Sequence, residues 1–228
     1  MTTPRVSLHG VALTRLTVHG HSRDDRTVLD KVDLVINDGE RVGVIGRNGA
    51  GKTTLLRIMA GVLLPDQGAC ERFGHLRAFL DLGYGLEPEL SGRANSLSRA
   101  VIDELPVSER DGFVAWVESF SELGGQFEQP LKSYSTGMLA RLVFSMCTYS
   151  TPEILLIDEG IGTVDAHFRE KALSRLNEIY GGTSALVLAT HDEVLLQQLC
   201  TRGIVIHQGR LVFDGSLTDA LDHYSIMS

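Results

Sequence analysis

The sequence predicts an α/β fold: a mixed, mostly parallel sheet, an antiparallel β region at the N-terminus, and a helical subdomain inserted into the sheet-bearing core. Three observations predict it. "EILLID" at 153–158 and "SALVLAT" at 184–190 are continuous apolar runs of strand length, the pattern of parallel strands covered on both faces. "VGVIG" at 42–46 runs straight into a glycine-rich loop and then into a helix-like segment, a strand-loop-helix unit. Residues 78–150 hold several helix-like patterns, punctuated by Gly and Pro, without clear buried strands.

Taken in order, residues 6–45 read as short alternating stretches separated by turn residues, and "VDLVINDGERVGVIG" as strand, Asn-Asp-Gly turn, strand. A helix over 52–60 stops near Gly61. The stretch 78–150 is the inserted helical subdomain, with "GFVAWVESFSELGG" as one of its helices. Within it, "KSYSTGMLARL" places Ser135, Thr136 and Gly137 before a helix on which Leu139, Leu142, Val143, Met146 and Cys147 recur at helical spacing. A further helix spans 166–179, between the two buried runs. "RGIVIHQGRLVFDGS" reads as a hairpin turning at Gln208-Gly209, followed by a short helix.

Bulk properties narrow the function. A chain of 228 residues with 43% hydrophobic residues can bury a core without metal or disulfide. Its net charge of -8 argues against broad nucleic-acid binding, which calls for a basic face, and no basic run suited to anionic lipid occurs. An anionic ligand must therefore be held by a local device. Cys70, Cys147 and Cys200 share no CxxC spacing and are odd in number, so neither a zinc site nor a disulfide framework is indicated and a reducing, cytosolic setting is expected. The start lacks a signal pattern and no apolar stretch approaches the roughly 18 residues needed to span a bilayer, so work at a membrane requires another anchor.

Four motifs carry chemistry. "GRNGAGKTT" fits the phosphate-binding pattern with Gly46, Gly49, Gly51, Lys52 and Thr53; glycines let consecutive amides point inward, Lys52 reaches the β and γ phosphates, and the Thr53 hydroxyl can ligate Mg²⁺. Asn48, Ala50 and Thr54 complete the loop as nucleotide contacts. "EILLIDEG" delivers Asp158 and Glu159 to the carboxyl end of a strand, where open α/β sheets place ligands. Asp158 fits the acidic partner that holds Mg²⁺ through water, and Glu159 is placed to orient or deprotonate an attacking water. "LVLATHDEV" ends another strand at Thr190 and His191; a lone histidine there is commonly a turn residue, but its place after a core strand favours a γ-phosphate contact. Ser135 can cap the helix that begins near Met138, and taken alone a capped amphipathic helix is enough to explain it.

The order of these motifs resembles that of the ATP-binding cassette ATPases over nearly the whole chain. The resemblance implies a RecA-like P-loop core of about 1–77 and 151–228 and a helical subdomain of about 78–150. It implies ATP and Mg²⁺ as cofactors, with Ser135, Thr136, Gly137 and a helix N-terminus capping the ATP bound by a second copy, in a head-to-tail pair around a two-fold axis. Longer strings, "LGYGLEPELSGRANS", "FSELGGQFEQPLKSYSTGM" and "IDEGIGTVDAHFREKA", are similar to those of the ATPases that power export of lipid-linked bacterial polysaccharides: O-antigen, teichoic acid and capsule. In that group a Gly-Asp-Ala-x-Phe form follows the catalytic Glu, approximated here from Val164 to Phe168, which brings Asp165 to the nucleotide. A polytopic permease, a peripheral place on the cytoplasmic face of the cytoplasmic membrane, and no direct contact with cargo or nucleic acid are also implied.

The sequence departs from the family in three places. No Gln occurs over 79–89, where the family senses Mg²⁺, and Asp81 is the candidate substitute. The upstream aromatic that stacks on adenine is missing, with only His19 and His21 nearby, so weak base discrimination is expected. The signature reads Tyr-Ser-Thr-Gly-Met, putting a Thr136 side chain where backbone approach is usual. The chain stops at Ser228, from which no carbohydrate-binding domain after the cassette is expected. Export of another lipid, peptide or drug stays open, as do a soluble cassette acting on nucleic acid or ribosomes and a non-hydrolysing sensor; the acidic single cassette and Glu159 weigh against the last two.

Overall fold

The structure is a computed structural model that describes residues 3–19, 22–80, 85–159, 164–180 and 185–227. The chain divides into two compact units, one of residues 1–78, 152–159 and 182–228, the other of 79–151 and 160–181.

The first unit carries two sheets. In the smaller, β1 (Pro4–His19) pairs antiparallel with β2 (Ser22–Asn37) on one side and with β4 (Gln67–Arg72) on the other. Alternation sets its inner face: Val6, Leu8, Val11 and Leu13 of β1 and Leu29, Val32, Leu34 and Ile36 of β2 are buried. The larger sheet has the order β5-β6-β7-β3-β8-β9. Its members are β3 (Arg41–Ile45), β5 (Leu76–Phe79), β6 (Ile154–Asp158), β7 (Ala185–Ala189), β8 (Arg202–His207) and β9 (Arg210–Ser216). Strands β6, β7, β3 and β8 run parallel, and β9 returns antiparallel to β8. The mixed, mostly parallel sheet and the N-terminal antiparallel region thus form as the sequence predicts.

The two apolar runs explain this layering. Every residue of β6 and β7 is buried, so both faces of these strands are covered. The Asn-Asp-Gly turn does join strand to strand, but β2 and β3 belong to different sheets. It is therefore a crossing between layers and not a hairpin. At the far edge, Gln208 and Gly209 both take positive φ, 49° and 80°, as a two-residue hairpin turn between β8 and β9 requires. Helix α1 (Lys52–Met59) follows β3, and its last carbonyls are bonded by Arg72, whose Nε and Nη2 donate to Met59 O and Ile58 O at 2.6 and 2.7 Å. Helices α6 (Glu193–Leu199) and α7 (Leu217–Met227) complete this unit.

The second unit is helical: α2 (Gly92–Ile102), α3 (Val107–Ser121), α4 (Thr136–Thr148) and α5 (Ala166–Tyr180). Phe113, Val117, Phe127, Leu142 and Met146 form its core. Helix α5 joins it through Phe168, whose ring meets Phe120 and Phe144 edge-on at 5.9 Å each. Arg175 of α5 donates from Nε and Nη2 to Thr148 O, the last residue of α4, at 3.0 and 2.8 Å. Helix α4 is covered more widely than one apolar face predicts: Ala140, Phe144, Ser145 and Thr148 are buried along with Leu142, Met146 and Cys147, while Leu139 and Val143 are only half-buried.

The segment "GLEPELSGR" is pinned by a residue that sequence patterning does not single out. Asn95, 2% exposed, donates from Nδ2 to the carbonyls of Glu87, Leu90 and Ser91, while its Oδ1 accepts the Glu87 amide at 2.8 Å. A buried amide side chain bonded to backbone through both its nitrogen and its oxygen fixes the loop before α2.

Candidate functional site

Strand β3 is buried, and its carboxyl end delivers Gly46 to a loop that closes at Gly51, the N-cap of α1. Glycine is required at both ends. A Cβ on Gly46 would lie 2.4 Å from Ile206 O, and Gly51 has φ 114° with Val28 O and Leu29 Cδ2 each 2.9 Å from where its Cβ would stand. The hairpin turn of β8 and β9 braces the loop from behind: Gly209 donates its amide to Ala50 O at 3.0 Å and accepts that of Asp30 at 2.9 Å. That bracing turn was legible in the sequence as a hairpin, but its role under the loop was not.

The side chains of the predicted site converge on this loop. Lys52, 6% exposed, folds back so that Nζ donates to Gly46 O at 2.7 Å and Arg47 O at 3.3 Å. Asp158 ends β6, 9% exposed, and accepts a hydrogen bond from the Thr53 hydroxyl. Glu159 follows with a left-handed backbone, φ 52°, its amide bonded to Ala189 O at 2.9 Å. A glutamate in that conformation is uncommon, and strained backbone of this kind clusters at functional sites. His191 follows the end of β7, where Asp192 caps α6. Its Nε2 lies 2.7 Å from Asn48 Oδ1, 3.0 Å from Glu159 Oε1 and 3.4 Å from Lys52 Nζ. The two oxygens can only accept, so the tautomer that fits them carries its proton on Nε2.

Burial sets the electrostatics. Desolvation pushes the Lys52 ammonium below its ordinary pKa, against the attraction of Glu159 and Asp158. It pushes the Asp158 carboxyl up, with the Glu159 charge adding to the rise and the Thr53 hydroxyl bond and Lys52 opposing it. A carboxylate and an ammonium each strained toward neutrality at the floor of one cavity are poised for a ligand that brings its own charges. That cavity, of about 580 Å³, is lined by Arg47, Asn48, Gly49, Gly51, Lys52, Thr53, Thr54 and Glu159, and also by Arg15, Arg26 and Val28 of the β1–β2 ribbon. Neither Arg15 nor Arg26 stands in a motif; they meet as cross-strand partners in the β1–β2 register, which no local pattern in the sequence announces.

The other predicted residues belong to the helical unit. Ser135 is the N-cap of α4, its Oγ accepting the Met138 amide at 3.2 Å. The helix begins at Thr136, two residues ahead of Met138. Ser135 and Thr136 are exposed and Gly137 is half-buried, so this N-terminus is not packed into an interior. Asp165 caps α5, accepting the Phe168 amide on Oδ1 at 3.1 Å, and pairs through Oδ2 with Arg141 of α4. Together these bonds hold its carboxyl down at about 2, the Phe168 amide first and the Arg141 hydrogen bond next. Arg141 was not anticipated from the sequence. Asp81 and His21, named as stand-ins for family residues, lie outside the described residues, as does the side chain of His19.

Known proteins resemble this chain in sequence and in fold. The ABC transporter family pattern matches residues 29–162. The O-antigen export system ATP-binding protein RfbE of Yersinia enterocolitica is 40% identical over 84% of this chain and 80% of its own. The teichoic acids export ATP-binding protein TagH of Listeria innocua is 32% identical over 86% of this chain but 58% of its own length. Among solved structures, a dimeric ATP-binding cassette in a post-hydrolysis state with ADP and Pi superposes with a TM-score of 0.79 over 93% of this chain and 98% of that one, at 21% identity, a likeness of fold. On the matched family pattern and the identity to RfbE, the chain belongs to the ABC transporter family.

Proposed function

We propose that this chain is the ATP-hydrolysing subunit of a transporter that exports a lipid-linked bacterial polysaccharide of the O-antigen, capsule or teichoic acid type. One observation carries the hydrolytic part: Asn48, Lys52 and Glu159 meet around a single nitrogen of His191 at the mouth of the glycine loop. That is a loop for phosphates, a cation, a base and a proton-bearing contact in one place. The export assignment rests on the similarity to O-antigen and teichoic acid export ATP-binding proteins.

In this reading the loop amides hold the β and γ phosphates, and Lys52 exchanges its bonds to Gly46 O and Arg47 O for phosphate oxygens. Glu159 orients a water for in-line attack and accepts its proton, while the Nε2 proton of His191 contacts the γ-phosphate. Thr53 and Asp158 are hard oxygen donors already joined by a hydrogen bond, and the burial that strains Asp158 toward neutrality is relieved by a cation, so they fit Mg²⁺. When bound, Mg²⁺ supplies charge neutralisation on the phosphate oxygens.

The second half of the site comes from a second copy. The exposed N-terminus of α4, with Ser135, Thr136 and Gly137, caps the nucleotide held by the partner, in keeping with the dimeric state of the cassette it resembles in fold. No described helix is long and apolar enough to cross a membrane, and the transporter reading supplies a permease as the membrane partner and the cytoplasmic face as the location.

The test is complementation. In a bacterium whose own export ATPase gene is deleted, this chain with its cognate permease should restore surface polysaccharide, and Glu159→Gln should not. Restored ATPase activity of the purified complex without restored polysaccharide would remove the cargo assignment and leave the enzyme; no ATPase activity would remove both.

A further inference from the structure

The cavity above the glycine loop has two walls of different chemistry. One is the phosphate-binding loop itself. The other is the β1–β2 ribbon, which contributes Arg15, Arg26 and Val28. Arg15 and Arg26 are directly opposite one another in the antiparallel register, and Val28, at a register shift in β2, lines the same cavity. Arg26 also reaches the loop: its Nη2 lies 3.7 Å from where a Cβ on Gly49 would stand.

Two like charges facing each other across a strand pair are unfavourable. Both guanidiniums are exposed, and among the described residues no hydrogen bond or ion pair engages either. An arrangement that costs stability and has no internal partner points to a ligand. The ligand surface it suits follows from the neighbours. Val28 adds an apolar patch beside planar, weakly hydrated cations, and such a wall suits the face of an aromatic ring. No aromatic side chain lines the cavity among the described residues.

We infer that Arg15 and Arg26 form the seat for the nucleotide base, with a guanidinium plane stacked on the purine where an aromatic ring would otherwise stand. This rests on the reading of the loop as an ATP site and adds the part of the ATP that the loop does not hold. A stacked guanidinium touches the ring face and leaves the Watson–Crick edge unread. The site therefore accepts adenine and guanine alike, and the purified chain binds ATP and GTP within about three-fold of each other.

Equilibrium binding of Mg²⁺-ATP, Mg²⁺-GTP and inorganic tripolyphosphate to the intact chain tests this. Arg15→Ala with Arg26→Ala should weaken both nucleotides by roughly ten-fold, within the span of one or two cation–π contacts, and leave tripolyphosphate binding unchanged. Arg26→Tyr in the Arg15→Ala background should restore ATP binding, and Arg26→Lys should not. Equal losses for ATP and tripolyphosphate, with rescue by Lys, would show that the arginines hold phosphate and would overturn the inference. So would unchanged ATP binding in the double variant. A wild-type chain that binds neither ATP nor tripolyphosphate would overturn the nucleotide reading itself, whereas loss of both probes in Lys52→Ala alone keeps that reading while the arginine variants decide this one.

Discussion

His191 and Glu159 share a short polar contact, Nε2 to Oε1 at 3.0 Å, and the same nitrogen meets Asn48 Oδ1 at 2.7 Å. One ring nitrogen thus ties the strand-end glutamate to the phosphate loop. If the pair acts as a unit in hydrolysis, removing either member should cost about as much as removing both. His191→Ala and Glu159→Gln should each lower single-turnover phosphate release by about a hundred-fold or more, leaving ATP affinity within a few-fold, and the double variant should be no slower than the worse single. Multiplying losses would show independent roles.

Much of this site was legible in the sequence, for a physical reason. A phosphate loop needs glycines at close backbone approaches, and those positions are consecutive in the chain, so Gly46, Gly49 and Gly51 announce themselves. The strand-end residues were legible because full burial forces β6 and β7 to be apolar throughout, which makes Asp158 and His191 stand out at their ends. What stayed hidden depends on pairing between distant segments. Arg15 opposite Arg26, Gly209 beneath Ala50 and Arg141 on Asp165 are juxtapositions that no local pattern encodes. Asn95 was hidden for a related reason: its worth lies in four backbone bonds to a loop with no regular period.

The Asp165 carboxyl offers a direct titration. The Phe168 amide and the Arg141 guanidinium both bond its charged form and hold its pKa at about 2. A lowered carboxyl pKa stabilises the fold at pH above the ordinary value near 4, and the contribution is lost as pH falls through about 2. The carboxyl carbon resonance of Asp165 should therefore show a midpoint at about 2, moving up toward the ordinary value in Arg141→Gln. A midpoint already near 4 in the wild-type chain would mean that the pair does not persist in solution.

Phe168 tests the packing of α5 in the helical unit. It is fully buried, meets Phe120 and Phe144 edge-on, and carries the Arg141 guanidinium 5.2 Å above its ring. Phe168→Ala removes the ring from a close-packed site and should destabilise this unit by about 3–5 kcal/mol. Phe168→Leu, which keeps most of the volume, should cost markedly less. Urea unfolding followed by the fluorescence of Trp116, in the same unit, reads both. Equal, small losses would mean that the cluster is not a core.

Asp158 links stability to function with opposite signs. Burial raises its pKa, so the folded chain without ligand prefers the neutral carboxyl while the unfolded chain ionises at its ordinary value near 4. With the folded pKa above the unfolded one, stability falls as pH rises from about 4 through the folded value, and the cost persists at neutral pH. Asp158→Asn removes the charge and keeps an oxygen that can accept the Thr53 hydroxyl bond. Its ligand-free melting temperature at pH 7 should thus rise, by about 2–4 °C for each 1 kcal/mol relieved, and the decline in stability above pH 4 should flatten. The same substitution removes the carboxylate proposed to hold Mg²⁺ and should abolish Mg²⁺-dependent phosphate release. Calorimetry of the ligand-free variant together with its hydrolysis rate separates the two effects. A variant both less stable and inactive would mean that the carboxylate is a structural anchor, whereas one more stable and inactive marks a residue kept against stability for its ligand.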